Sequence, residues 1–172
     1  SRVRGLARGG HARIDRGTIE RLPGLEIVAS FGVGYDGIDL QAAAERGVIV
    51  TNTPDVLTEE VADTALGLLL CTVPEFPQAE RYLRAGRWTS DDYPLSRASL
   101  RDRTGGMVGL GAIGKAIARR LDACGVPVVY HSRNPQPGVP YRYYPKLVDL
   151  ARDVDTLVVI TPGGAATRNL MA

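Results

Sequence analysis

Three glycines and one arginine carry the chemistry that reads most directly from this chain. Gly109, Gly111 and Gly114 fall as G-x-G-x-x-G within Met107-Val108-Gly109-Leu110-Gly111-Ala112-Ile113-Gly114-Lys115. That spacing suits a pyrophosphate. Gly109 permits a tight turn out of a strand, Gly111 lets backbone approach the phosphates, and Gly114 lets the next helix pack close to the strand. The first N–H groups of that helix, at Ala112, Ile113 and Gly114, and its positive dipole end would face the anion. An NAD site places an acidic residue about 20 positions further on, to bond the ribose 2′-OH. Here the count reaches Tyr130-His131-Ser132-Arg133-Asn134, and the next acidic residue is Asp149. Arg133 can pair with a 2′-phosphate through two N–H groups, aided by the Ser132 hydroxyl and the Asn134 amide. The expectation is dinucleotide binding, with NADPH preferred and NAD as the alternative. The plainer readings are a surface turn among the chain's 20 glycines and a solvated loop arginine.

The elements that position these residues lie in the same stretch. Ile113, Ile117 and Leu121 recur every four residues and give a helix one apolar stripe to set on a sheet. Gly125 stands where a left-handed helix terminator is expected. Residues 126–130 read as the next strand, 146–151 as a short helix and 155–160 as a third strand. Strand and helix alternate as β-α-β-α-β, half of a doubly wound nucleotide fold. Pro162 then falls at a strand's carboxyl end, where cofactors sit in such sheets.

The first half of the chain alternates too. Residues 3–7 suit a strand and 16–22 a weak helix stopped by Pro23. Residues 25–31 read as a buried strand running into Gly32-Val33-Gly34-Tyr35-Asp36. Asp39 caps a helix over 40–46, Gly47 ends it, and 48–51 form another strand before Asn52-Thr53-Pro54. This βαβ pattern implies a parallel sheet. A glycine-rich turn after a strand can present N–H groups to an anion, and a plain tight turn is the equal alternative. Thr58 is expected as the N-cap of a long helix, with Glu59 and Glu60 favourably placed at its dipole. Pro74 and Pro77 break or kink it, 78–85 resume it, and 89–103 read as a linker.

Composition excludes several classes. The chain has 172 residues, 44% apolar and 23% charged, with a net charge of +2. Scattered arginines at that charge do not argue for nucleic acid or an acidic membrane surface. No run of about 18 apolar residues suggests a membrane span, and the start Ser1-Arg2-Val3-Arg4-Gly5 has no signal-peptide core. Cys71 and Cys124 read as buried small apolar residues rather than a disulfide pair, which fits the cytoplasm. His11 and His131 have no metal-ligand spacing, so no metal is expected.

Several motifs occur in order. They are Val33-Gly34-Tyr35-Asp36 with Ile38-Asp39, Arg46-Gly47-Val48-Ile49-Val50-Thr51-Asn52-Thr53-Pro54, residues 58–63, residues 84–88, the Gly109 loop, and residues 155–162. Together they resemble the D-isomer-specific 2-hydroxyacid dehydrogenases, and within them the glyoxylate/hydroxypyruvate reductase branch. The resemblance implies an α/β fold with a Rossmann-type doubly wound parallel sheet and a smaller flavodoxin-like substrate domain, both partial here. Residues 1–95 would be the partial substrate domain with an interdomain helix, and 96–172 the first half of the NAD(P)-binding domain. It implies hydride transfer from a nicotinamide to a small 2-oxo acid, giving the D-2-hydroxy acid in a homodimeric enzyme. The Val33 and Gly34 N–H groups would hold the substrate carboxylate.

The family's catalytic arginine, acidic residue and histidine lie further along such chains than Ala172. Neither His11 nor His131 matches, so no catalytic residue is assigned. The chain is expected to be an internal fragment, inactive and poorly stable alone. A doubly wound sheet puts the strand after Thr104 in the middle; the strands on its other side would be missing here, and that edge would stand unpaired. Thr58 would lie near the cofactor. Trp88 would border the substrate cleft or a dimer contact, or else pack as a linker aromatic on a helix. Two departures stand out: Pro74, and Gly105-Gly106, where such proteins usually carry a β-branched residue. A strand-interior glycine weakens a strand by about 0.5–1 kcal/mol. Rival readings are a non-enzymatic NAD(P)-sensing or co-regulator module, and the same chemistry on phosphoglycerate or formate.

Overall fold

A computed structural model describes every residue except Ser1, His11, Leu95, Arg97, Ala98 and Ala172. The expectation for His11 and part of the 89–103 linker therefore lie outside the described residues. Contacts divide the chain into two units, Ser1–Leu57 with Pro162–Ala172, and Thr58–Thr161.

The first unit alternates strand β1 (Gly5–Gly9), helix α1 (Arg16–Glu20), β2 (Ile27–Phe31), α2 (Leu40–Glu45) and β3 (Ile49–Thr51). Its three strands are parallel in the order β1-β2-β3, with Leu6 opposite Val28 and Val28 opposite Val50. Side chains start both helices. Asp15 Oδ1 accepts the Thr18 N–H at 2.8 Å, and Asp39 Oδ1 accepts the Ala42 N–H at 2.8 Å. Gly47 takes a φ of 65° after α2, as a helix terminator does. Ile19, Val28, Ala42, Ala43 and Val48 form the core. The segment 25–31 is not buried throughout. Val28 and Ser30 point into the core side, while Ile27 and Phe31 alternate to the other face and Phe31 is 85% exposed. The apolar run hid a two-residue alternation.

The second unit contains α3 (Thr58–Thr72), α4 (Phe76–Arg84), β4 (Gly105–Val108), α5 (Ala112–Ala123), β5 (Val128–His131), β6 (Arg142–Tyr143), α6 (Leu147–Asp153) and β7 (Thr156–Val159). All four strands are parallel, in the order β6-β5-β4-β7. The two-residue β6 carries no strand pattern in sequence. It makes the segment 155–160 the fourth strand of the sheet, not the third. Its position is decisive: β7 lies on the opposite side of β4 from β5. The strand order reverses there, and ligands of such sheets bind at that reversal, beyond the carboxyl ends.

Pairing with β7 closes the edge of β4 expected to stand open, so β4 lies between β5 and β7 with every residue buried. Its glycines have a packing reason. A Cβ on Gly106 would meet Val154 Cγ2 at 2.9 Å and Leu157 Cδ2 at 3.0 Å, and one on Gly105 would meet Leu121 Cδ1 at 3.2 Å. Neighbouring side chains fill the space that a β-branched residue would take.

Helix α3 packs on α5 and contributes Ala62, Ala65, Leu66 and Leu69 to the core around Met107, Ile117 and Leu121. Arg120 of α5 binds Glu59 at 2.8 Å and Asp63 at 2.6 Å. Hydrogen bonding to Asp63, then to Glu59, pushes the guanidinium pKa above its ordinary value. These contacts group α3 with the 58–161 unit. Thr58 is the first residue of α3 rather than a cap before it. Pro77 lies in the first turn of α4, which starts at Phe76, and Glu75 at a φ of 60° separates the two helices. Cys71 is exposed and Cys124 half-buried, and both are free thiols. Cys71 and the 63% exposed Leu68 lie on the side of α3 turned from α5, which corrects the expectation of buried cysteines. Trp88, in a 3-10 turn over Arg87–Thr89, is 61% exposed.

Candidate cofactor and substrate sites

The three motif glycines occupy three different environments. Gly109 has a φ of 99°, and a Cβ there would lie 2.5 Å from the Ile160 carbonyl oxygen. The backbone leaving β7 thus presses against the backbone leaving β4, and only glycine fits. A Cβ on Gly114 would lie 2.6 Å from the Gly109 carbonyl oxygen, so this residue lets α5 pack against the turn. Gly111 differs: no atom lies within 4 Å of where its Cβ would be. Its φ of −76° is open to any residue. Nothing in the protein requires glycine at Gly111, whereas a ligand approaching the backbone would. Gly111 is also the N-cap of α5 and supplies no side-chain cap. The first N–H groups of the helix, at Ala112, Ile113 and Gly114, are left for an anion. These residues fit a pyrophosphate.

The Gly109 N–H donates to the His131 carbonyl at 2.8 Å, which sets the glycine turn beside the loop after β5. That loop is shaped by its own bonds. The Ser132 hydroxyl donates to the Asn134 carbonyl at 2.6 Å, and Tyr143 Oη donates to the Ser132 carbonyl at 3.2 Å. The Gln136 N–H donates to Tyr130 Oη at 2.8 Å. Arg133 is exposed, and among the described residues no ion pair or hydrogen bond engages its guanidinium. His131 Nδ1 lies 2.8 Å from the Tyr144 carbonyl, an acceptor only, so this nitrogen carries the proton. The sequence offered no sign that Tyr130 and Tyr143 would hold this loop.

Val33 and Gly34 lie on the turn after β2 in the first unit. Donors hold its carbonyls from outside. The Thr53 N–H binds the Gly32 carbonyl at 3.0 Å, Asn52 Nδ2 binds that of Val33 at 2.9 Å, and Arg8 Nη1 binds that of Gly34 at 3.3 Å. No described residue accepts the Val33 or Gly34 N–H. A turn with its carbonyls held and its amides free is suited to an anion. Beside it lies a cavity of about 380 Å³, lined by Arg8, Arg13, Gly32, Gly34, Asp36 and Gly37 among others. Pro162 begins the segment Pro162–Ala172, which groups with this unit rather than with the glycine turn. A Cβ on Gly163 would lie 2.8 Å from Asp36 Oδ2, so the segment runs close to the 32–37 turn. Among the described residues, no cluster of three or more His, Cys, Asp or Glu could hold a metal ion, and no helix is long and apolar enough to cross a membrane.

A parallel sheet with its strand order reversed beside a glycine turn defines a dinucleotide-binding class of α/β protein. The family model of the D-isomer specific 2-hydroxyacid dehydrogenase catalytic domain matches residues 1–171, and the chain belongs to that family. It is 44% identical over 169 residues to glyoxylate/hydroxypyruvate reductase A of Arabidopsis thaliana, covering 98% of this chain and 54% of the relative. It is 43% identical to hydroxyphenylpyruvate reductase of Plectranthus scutellarioides, covering 93% of this chain and 51% of that protein. Among solved structures it resembles the NADPH-dependent glyoxylate/hydroxypyruvate reductase of Sinorhizobium meliloti in complex with NADP and malonate. That likeness has 57% identity and a TM-score of 0.89, over 96% of this chain and 51% of the other. The chain spans about half the length of these relatives.

Proposed function

We propose that this protein is an NAD(P)-dependent reductase of small 2-oxo acids, of the glyoxylate or hydroxypyruvate type, with NADPH as its preferred cofactor. One observation carries this reading: a glycine turn with an open position at Gly111 lies beside a loop with a free Arg133 and no acidic residue. The Sinorhizobium meliloti relative, crystallised with NADP and malonate, supports it. When bound, the cofactor supplies hydride to a carbonyl carbon. The Gly111 backbone and the amides of Ala112, Ile113 and Gly114 hold the pyrophosphate. Arg133, with Ser132 and Asn134, takes the 2′-phosphate, and Pro162 borders the cofactor. The Val33 and Gly34 amides hold the substrate carboxylate. No residue of this chain takes the acid–base role, and the 172 residues alone are expected not to turn over. A homodimer and a cytoplasmic location belong to the same reading, as does a substrate domain over 1–95 joined to half a nucleotide domain over 96–172.

The test is NADPH oxidation by the full-length protein with glyoxylate, hydroxypyruvate and a bulkier 2-oxo acid. Turnover of about 1–1000 per second on one of them is the expected result. NADPH binding without turnover on any 2-oxo acid would move the protein to a cofactor-sensing module instead.

A further inference from the structure

Arg8 is the one charged residue among the described buried residues of the first unit, at 9% exposed. No carboxylate lies within ion-pair distance of it among the described residues. An arginine taken out of water without a counter-ion is costly, so its hydrogen bonds must hold it in place. All of them reach oxygens on segments around the 32–37 turn. Nε donates to the Ala12 carbonyl at 2.6 Å, and Nη1 donates to Ser30 Oγ at 2.9 Å and to the Gly34 carbonyl at 3.3 Å. Ser30 is 3% exposed. The other arm of the fork lies so close to Gly37 that a Cβ there would collide with Nη2. One planar group thus joins the loop after β1, the end of β2 and the turn beyond it. Lysine has no such fork.

We propose that Arg8 is the positioning residue of the anion-binding turn: its fork holds Ala12, Ser30 and Gly34 together, keeps the Val33 and Gly34 amides free, and leaves a buried positive charge beside the cavity. Arg8 and Arg13 outnumber Asp36 among the charged groups lining that cavity. The charge favours an anionic ligand there, and the fork decides where its oxygens meet N–H groups. The ligand class rests on the reductase reading above, in which the anion is a 2-oxo acid carboxylate.

Arg8→Lys keeps the charge and removes the fork. Gly37→Ala displaces the fork and leaves Arg8 in place. Ser30→Ala removes one contact and serves if either of the others fails to fold. Amide hydrogen exchange and malonate binding are read by NMR, and steady-state kinetics with glyoxylate and NADPH on the full-length protein. In Arg8→Lys and Gly37→Ala, exchange at Val33 and Gly34 should rise at least about fivefold, while Val28 in β2 stays protected. Malonate should bind at least about tenfold more weakly and the KM for glyoxylate rise about as much, with kcat and the KM for NADPH within about threefold of wild type. Unchanged exchange and malonate affinity would overturn the proposal. So would exchange rising equally along β1 and β2, which would make Arg8 a general stabiliser of the sheet. A wild-type protein that binds malonate but reduces no 2-oxo acid would sink the reductase reading, while the exchange and binding results still decide the role of Arg8.

Discussion

The turns at Gly32–Val33–Gly34 and at Gly109–Leu110–Gly111 both leave a parallel strand, and both leave N–H groups for an anion. They are held in different ways. The second is fixed by backbone against backbone, Gly109 on Ile160 and Gly114 on Gly109, with no side chain needed. The first is fixed by side chains from elsewhere in sequence, Arg8 from 26 positions before Gly34 and Asn52 from 19 positions after Val33. A turn fixed by close backbone approach tolerates no Cβ. A turn fixed by side chains can lose one contact and keep its fold. The two should therefore break differently.

The largest effect is expected at Gly109. Gly109→Ala places a Cβ against the Ile160 carbonyl at an unfavourable φ, which should cost about 3 kcal/mol or more. Chemical unfolding followed by Trp88 fluorescence, the single tryptophan and part of the 58–161 unit, measures it. An unchanged midpoint would remove the backbone half of the comparison.

Next come two substitutions that should spare stability and lower cofactor affinity. Gly111→Ala enters open space, so the unfolding midpoint should hold while NADPH binding, read by titration, weakens by about tenfold. Arg133→Ala should lower kcat/KM for NADPH by about tenfold to hundredfold, as expected for a charge-assisted contact of about 1.5–3 kcal/mol, and change NADH little. Equal losses for both cofactors would show that Arg133 does not read the phosphate.

Asn52→Ala removes a single neutral donor from the Val33 carbonyl and should cost only about 1 kcal/mol. A loss as large as that at Gly109 would mean that the first turn is no more tolerant than the second.

The smallest effect is on pH dependence, and it too divides the units. In the first, Asp15 lies below its ordinary 3.8 because Thr18 donates to it, Glu26 below 4.5 because Arg4 does, and Glu45 below 4.5 because Arg16 and then Gln41 do. Depressed folded values give stability that is present above those ordinary values and lost as pH falls through the folded ones. In the second unit, Tyr144 lies above 10.0 because it hydrogen-bonds Asp153, Tyr93 because it bonds Glu75, and Tyr141 because it is partly buried. Raised values give stability fully present below pH 10 and lost as pH rises further. Hydrogen exchange in β2 should thus quicken first in acid, and Trp88 fluorescence should respond first in alkali. The three carboxylates are exposed, so their shifts should be small.

Much of this protein was determined by its sequence alone, wherever neighbours in sequence are also neighbours in space. The cap at Asp39, the terminator at Gly47, the apolar stripe of α5 and the roles of Gly109 and Gly114 all follow from local backbone geometry. So does the missing acid in 130–134, because a strand and a helix of known rise set the distance from the turn. Only the tertiary structure decided the rest. β6 is two residues long and has no pattern of its own, yet it makes β7 the fourth strand, and the pairing of β7 with β4 on the side away from β5 places the order reversal beside Gly109. Gly105 and Gly106 look weak in a strand until Val154, Leu157 and Leu121 are seen to fill their space. Arg8 is one of 21 basic residues in the sequence and becomes distinctive only when folding buries it without a counter-ion beneath a turn far along the chain. Periodicity and spacing record contacts within an element. A hydrogen bond spanning many residues leaves no such trace, because any chain path that brings donor to acceptor will serve.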